Sequence, residues 1–536
     1  MLSAILKILN EFLQKIPEMF KDKKDQKDLQ EIAQKLLEAC NEIAGASLEQ
    51  TTFFRRNLAV KPGPQIDVTV VDVDDNATDP ESEEVAPAVI PELKDQQVTN
   101  RQYSVQALVI MAELTAGLLD MVYCGEEKDK VLPLLYSIMH NIFPYLKNHS
   151  TNNLPSFRAC CQLLGSLSSF PNTRKAWRKE AFELLMDSAF FQMDELCIPY
   201  WRVIVDNLMT HDKTTFRDLL ARVAVTQGTS LNLFSSREAE FEQRAHLLKR
   251  MSFTIFCSEV DQYQRSMPEI QERLSDSLRM PTVPSLQAQV FMCFRVLLLR
   301  ISSQHVTSLW PTIITELIQV LLQIEQELCP EIEETKANTA RLGNVDPSWS
   351  LGNGLNTRNN HGWFKLYLAA CKLLDLALVL PAGQLPQFQL YRWAFTGDPG
   401  APSSDVGGRH YRDPGFVPHV IRLARLFNNK FGEVPLLPYT LGRPLLTISY
   451  IKSINDLHPF FHTVATLAQS GESLLPATRK EHVESRMAKS FSAPDIQQLD
   501  SITMVTNHRL QRAKTAELEI EQIIEWDFLE PLPKGC

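Results

Sequence analysis

Residues 310–328 read WPTIITELIQVLLQIEQEL, and this stretch decides the fold. Apolar residues fall at Trp310, Ile314, Leu317, Leu321, Ile324 and Leu328. The steps alternate between four and three residues, which places all six on one face of an α-helix. Pro311 falls in the first turn, where the N–H it lacks would have no partner anyway. Glu325 and Glu327 lie off the stripe and are expected to meet solvent. The stretch before it repeats the pattern at Leu286, Val290, Cys293, Phe294, Leu297 and Ile301. Only Ser302 to Val306 separate the two, so the helices are expected to be antiparallel neighbours. A hairpin with this much apolar surface must bury it on further hairpins.

Towards the N-terminus the same punctuation recurs. Pro155 opens a helix with Phe157, Cys160, Cys161, Leu164 and Leu167 in register. Thr173 is placed to cap the next, which carries Trp177, Ala181, Leu184 and Leu185. Cys197, Tyr200, Trp201, Ile204 and Leu208 follow, then Phe216, Leu219, Leu220 and Val223, then Phe241, Leu248, Met251 and Ile255. Hairpins begin near residues 154, 195, 236 and 284. Spacings of roughly 40–47 residues per two or three helices belong to HEAT and armadillo repeats. The predicted fold is all-α: a HEAT/armadillo-like α-solenoid of antiparallel helix pairs, each touching mainly its neighbours.

The run SLQAQVFMCFRVLLLRISSQHVTSLWPTIITELIQVLLQIEQEL, from Ser285, resembles the C-terminal region of the Dopey family. FQLYRWAF, Phe388 to Phe395, is similar to the same family, and the likeness extends over roughly residues 100–460. Members are large eukaryotic proteins of Golgi and endosome traffic, several times longer than this chain. The resemblance therefore implies a C-terminal fragment or short form. It also implies a non-catalytic role in endosome-to-Golgi retrograde transport, peripheral on the cytoplasmic side of trans-Golgi and endosome membranes. An Arf-exchange-factor-like Golgi scaffold and a lipid flippase are the partners it implies.

The whole chain of 536 residues exceeds what one compact core serves, about 250–300 residues. A composition of 44% hydrophobic and 22% charged residues is that of an ordinary soluble protein. The net charge of −10 argues against generic nucleic-acid binding. Phe364 to Leu380, the most apolar stretch, is broken by Lys365, Lys372 and Asp375, and no transmembrane helix is expected. The ten cysteines are scattered without C-x-x-C, as reduced core cysteines are.

Composition divides the chain. Residues 1–61 read as an N-terminal helical hairpin, whose first helix sets Leu2, Ile5, Leu6, Leu9, Phe12, Leu13 and Ile16 on one face. Residues 62–100 read as an acidic disordered linker. Solenoid repeats occupy 101–395. Residues 396–469 read as a Gly/Pro/Asp-rich loop plus C-terminal helices, 470–502 as a mobile segment, and 503–536 as a last helix and tail.

No catalytic constellation emerges. His458 and His462 form H-x-x-x-H without the glutamate of H-E-x-x-H, and Pro459 lies between them, so no metal or cofactor is predicted. Three interaction features remain. Residues 409–514 hold 14 Lys/Arg against 8 Asp/Glu, with Arg409, Arg412, Arg422, Arg425 and Lys430 clustered. Such a patch suits phosphoinositide headgroups on an anionic membrane surface. Ile524, Glu525, Trp526 and Asp527 are similar to the tryptophan-acidic peptides that kinesin light chains bind. Ser490 and Ser492, in KSFSAP, lie in a sequence close to a 14-3-3 phosphorylation motif. The function expected is a trafficking scaffold. The alternatives are a soluble HEAT-type cargo receptor of the karyopherin kind and, from a third class, an enzyme acting on lipids.

Overall fold

The structure is a computed structural model, and it describes residues 2–15, 23–58, 91–123, 125–224, 237–279, 283–329, 360–397, 416–440, 442–470 and 517–531. The acidic stretch 62–90, residues 471–502 of the expected mobile segment with Ser490 and Ser492, and Arg409 and Arg412 lie outside them. The described residues contain helices and turns and no strand. The longer helices are α1 (Leu2–Lys15), α2 (Lys23–Leu58), α3 (Pro91–Val122), α4 (Leu132–Lys147), α5 (Leu154–Ser168) and α6 (Arg174–Met186). Then come α7 (Ile198–Thr210), α8 (Lys213–Ala224), α9 (Arg237–Cys257), α10 (Met267–Leu278), α11 (Pro284–Arg300) and α12 (Trp310–Leu328). The rest are α13 (Asn360–Val379), α14 (Pro386–Phe395), α15 (His419–Phe431), α16 (His458–Ser470) and α17 (517–528). The start of α3 at Pro91 falls inside the stretch expected to be linker.

Proline punctuates the starts. α4, α5, α7, α10, α11, α12 and α14 each carry one within the first two positions. There it costs no hydrogen bond and presets the helical φ. Short 3₁₀ turns lead into α4, α5, α7, α10 and α12 and bend the chain between helices.

The chain divides into two compact units. The first is Met1–His211 with Glu530–Cys536, and the second is Asp212–Leu529. Within the first, α3 packs on α5 and α5 on α7, while α2 packs on α4 and α4 on α6. Within the second, α9 packs on α11 and α11 on α13, while α8 packs on α10 and α12 on α15. First helices stack on first helices and second on second, which is the two-layer order of an α-solenoid.

This order corrects one expectation. The main partners of α11 are α9 and α13, before and after it in its layer, rather than α12. Phe291, Met292, Val296 and Leu298 are therefore buried besides the stripe read from the sequence. A helix flanked on both sides inside a layer is apolar nearly all round.

Local contacts set the spacing. Gly165 of α5 lies against Tyr200 of α7, and a Cβ there would come 3.4 Å from the tyrosine Cβ. Thr173 precedes α6 but does not cap it with its side chain. Its hydroxyl donates back to the Leu167 carbonyl at 2.6 Å and accepts from the Trp177 indole N–H at 3.0 Å. It ties the end of α5 to the first turn of α6. Asp261, with φ of 63°, donates its N–H to the Arg300 carbonyl at 2.8 Å and accepts the Ser302 N–H at 2.7 Å. That clasp holds the turn after α9 to the end of α11.

By length and composition alone, the segment Gln102–Val122 of α3 is long and apolar enough to cross a membrane, although Glu113 and Asp120 interrupt it. Of that window 56% is buried inside the protein, and α3 packs on α1, α2 and α5. Of the apolar face read on α1, Leu6 and Leu13 are buried, while Ile5 and Phe12 stay exposed.

Candidate functional site

α15 carries the described part of the basic cluster. Val420, Leu423, Ala424 and Phe427 bury its apolar face, and it packs on α12 and α16. That orientation turns His419 and Arg422 onto Glu325 of α12, at 3.0 and 3.1 Å. Glu325, expected in solvent, is thus a largely buried counterion, its side chain 11% exposed. The Lys430 ammonium donates to the Glu327 carbonyl at 3.2 Å. Arg422 and Lys430 are engaged in seating α15 on α12, while Arg425 faces outward and is exposed.

Beside α15 stands an apolar feature that the sequence concealed. Leu390 and Trp393 of α14 are 71% and 49% exposed, and Phe416 is 50% exposed. Trp393 and Phe416 meet edge to face at 5.1 Å, and Phe416 meets His419 at 6.2 Å. FQLYRWAF shows no clean amphipathic period, so the outward residues could not be separated from Phe388, Ala394 and Phe395, which are buried.

The tryptophan-acidic stretch lies in α17. Ile520, Ile523, Ile524 and Phe528 are buried, and Phe528 packs on Phe253 and Phe256 of α9 at 5.1 and 5.7 Å. Asp527 pairs with Arg295 of α11 at 2.6 Å and with Lys372 of α13. Glu521 pairs with Arg300 at 2.8 Å, and Glu519 with Arg443. Asp375 of α13, fully buried nearby, accepts the Leu446 N–H at 2.7 Å. Burial pushes its carboxyl up to about 7, against the pull of the Leu446 and Leu445 N–H groups and of Arg295 and Lys372. Burial likewise lowers the Lys372 ammonium, opposed by Asp527. Of the four motif residues, Ile524 and Asp527 point into the protein, while Trp526 is 37% exposed. Their recognition as a free peptide requires α17 to leave its seat.

His458 and His462 do not converge on a metal position. His458 Nε2 lies 2.7 Å from Asn428 Oδ1, and His462 Nδ1 lies 3.4 Å from the same amide's Nδ2, so the pair latches α16 to α15. Among the described residues no group of three or more His, Cys, Asp or Glu is placed to hold a metal ion.

A family model described as DOP1 C-terminal matches residues 1–343. The chain belongs to the DOP1 (Dopey) family. The DOP1 homologue of Drosophila pseudoobscura pseudoobscura is 43% identical over 527 residues, taking in 93% of this chain and 19% of that protein. Mouse DOP1B is 41% identical over 544 residues, with 98% and 21% covered. Protein pad-1 of Caenorhabditis elegans is 34% identical over 512 residues, with 84% and 20% covered. The chain thus spans about a fifth of the length of the curated DOP1 relatives it matches. No solved structure matches it. The DOP1 family model ends before α13, so α15 and α17 lie beyond its span.

Proposed function

We propose that this DOP1-family chain is a non-catalytic scaffold of Golgi–endosome traffic, serving endosome-to-Golgi retrograde transport from the cytoplasmic face of trans-Golgi and endosome membranes. One observation carries the membrane part: Leu390, Trp393 and Phe416 stand exposed together on the elements that lead into α15, whose Arg425 is exposed. Trp393 pairs an apolar ring with a polar N–H edge and so favours the membrane–water interface, Leu390 and Phe416 add apolar surface beside it, and an outward arginine favours anionic headgroups. Arg409 and Arg412 belong to the same reading. The stacked helices would serve as extended surfaces for protein partners, with an Arf-exchange-factor-like scaffold and a lipid flippase as those implied. Contact with kinesin light chain through Ile524 to Asp527 belongs to the reading only for a state in which α17 has been released.

Liposome flotation tests it. The chain is expected to float with vesicles containing phosphatidylinositol 4-phosphate, and the triple variant Trp393→Ala, Phe416→Ala, Arg425→Glu is expected to lose most of that binding. Equal flotation of variant and parent discards this face. Absence of flotation by the parent favours the soluble cargo-receptor alternative.

A further inference from the structure

α17 occupies a groove built by helices far from it in sequence. It presents Ile520, Ile524 and Phe528 at steps of four, with Ile523 and Asp527 one position before the last two. This is the i, i+3, i+4, i+7 face by which an amphipathic helix lies in an apolar groove. The floor supplies apolar partners, Phe253 and Phe256, and a row of cations, Arg295, Arg300 and Lys372. Each cation meets a carboxylate of α17. Arg295 and Lys372 have side chains only 6% and 4% exposed, and the buried carboxyl beside them, Asp375, is held by backbone N–H groups. With α17 seated, one carboxylate neutralises both cations, and an empty groove loses that ion pairing.

We propose that this groove is a receptor for acidic amphipathic helices. Its resting occupant is the chain's own residues 517–528. Its alternate occupant is a partner helix carrying apolar residues at i, i+3, i+4 and i+8 and a carboxylate at i+7. The charge row sets polarity and register, since a basic helix would set like charges together and a reversed acidic one would carry its carboxylates away from the cations. The inference is independent of the membrane reading.

The probe is a fluorescent peptide of residues 517–531, ELEIEQIIEWDFLEP. Binding is followed by anisotropy to the parent chain, to the full chain bearing Asp527→Lys, and to the full chain cut at a protease site inserted between residues 471 and 516. The attached helix competes at high effective concentration, so the parent is expected to bind the peptide at least tenfold more weakly than Asp527→Lys or the cut chain. A scrambled peptide of equal composition is expected to bind neither. If Asp527→Lys fails to fold, the cut chain gives the answer alone. The proposal is overturned if the cut chain keeps its own C-terminal piece and refuses excess peptide, or if the scrambled peptide binds equally well.

Discussion

Asp527 reaches Arg295 at 2.6 Å across 232 positions of sequence, and its other carboxylate oxygen takes the Lys372 ammonium. All three side chains are at most 10% exposed. One carboxylate therefore serves as counterion to two cations on different helices. Removing one member of such a cluster strands the charges that remain.

Asp527→Ala is accordingly expected to cost about 3–5 kcal/mol, a breakage cost that includes the abandoned cations. Denaturant unfolding of the full chain would measure it. A loss below 1 kcal/mol, on the order of a solvent-exposed pair, would mean that the cluster is hydrated in solution.

Phe528 and Trp526 are two positions apart and should respond differently. Phe528 is buried against Phe253 and Phe256, so Phe528→Ala should cost about 3–5 kcal/mol. Trp526 is 37% exposed, and Trp526→Ala should cost no more than half as much. Paired thermal melts decide this, and a reversed order would place Trp526 in the core.

Asp375 titrates with a raised affinity for its proton, about 7 against an ordinary 3.8. The unfolded chain gives up this proton first as pH rises. The folded state therefore holds more protons between about pH 4 and 7, and this group's contribution to stability falls across that window. Asp375→Asn keeps an acceptor for the Leu446 N–H and removes the titration. Its stability relative to the parent should improve between pH 5 and pH 8, by on the order of 2–3 kcal/mol. A pH-independent difference in melting would refute the assignment.

Thr173→Val should cost about 1–3 kcal/mol, because the Trp177 indole N–H is left unpaired in the interior. Thr173→Ser should recover most of the loss in a denaturant series. Equal losses for both would show that the hydroxyl's hydrogen bonds do not account for the effect.

The helical order was legible wherever apolar spacing alone decides it. Trp310, Ile314, Leu317, Leu321, Ile324 and Leu328 are all buried. Helices start at Leu154, Ile198, Arg237 and Pro284, close to where proline and periodicity put them. What escaped depends on partners distant in sequence. Lys372 and Asp375 read as interruptions of an apolar run, yet they sit at the centre of the charge cluster, because Asp527 arrives 155 positions later. Glu325 read as solvated because its partners, His419 and Arg422, lie more than 90 positions on. The Trp393–Phe416 pair was invisible for the same reason: neither residue alone signals an exposed face.

The separation of Asp527 from Lys372 also has a consequence for biosynthesis. At ribosomal speeds of roughly 5–20 residues per second, α13 waits about 8–30 s before the acidic helix that neutralises it is made. During that interval α11 and α13 carry cations with nothing of opposite sign from α17 to meet them. The second unit can reach its final packing only after nearly the whole chain has been translated, so a message cut short before Asp527 would deliver a body whose interior is electrically unfinished.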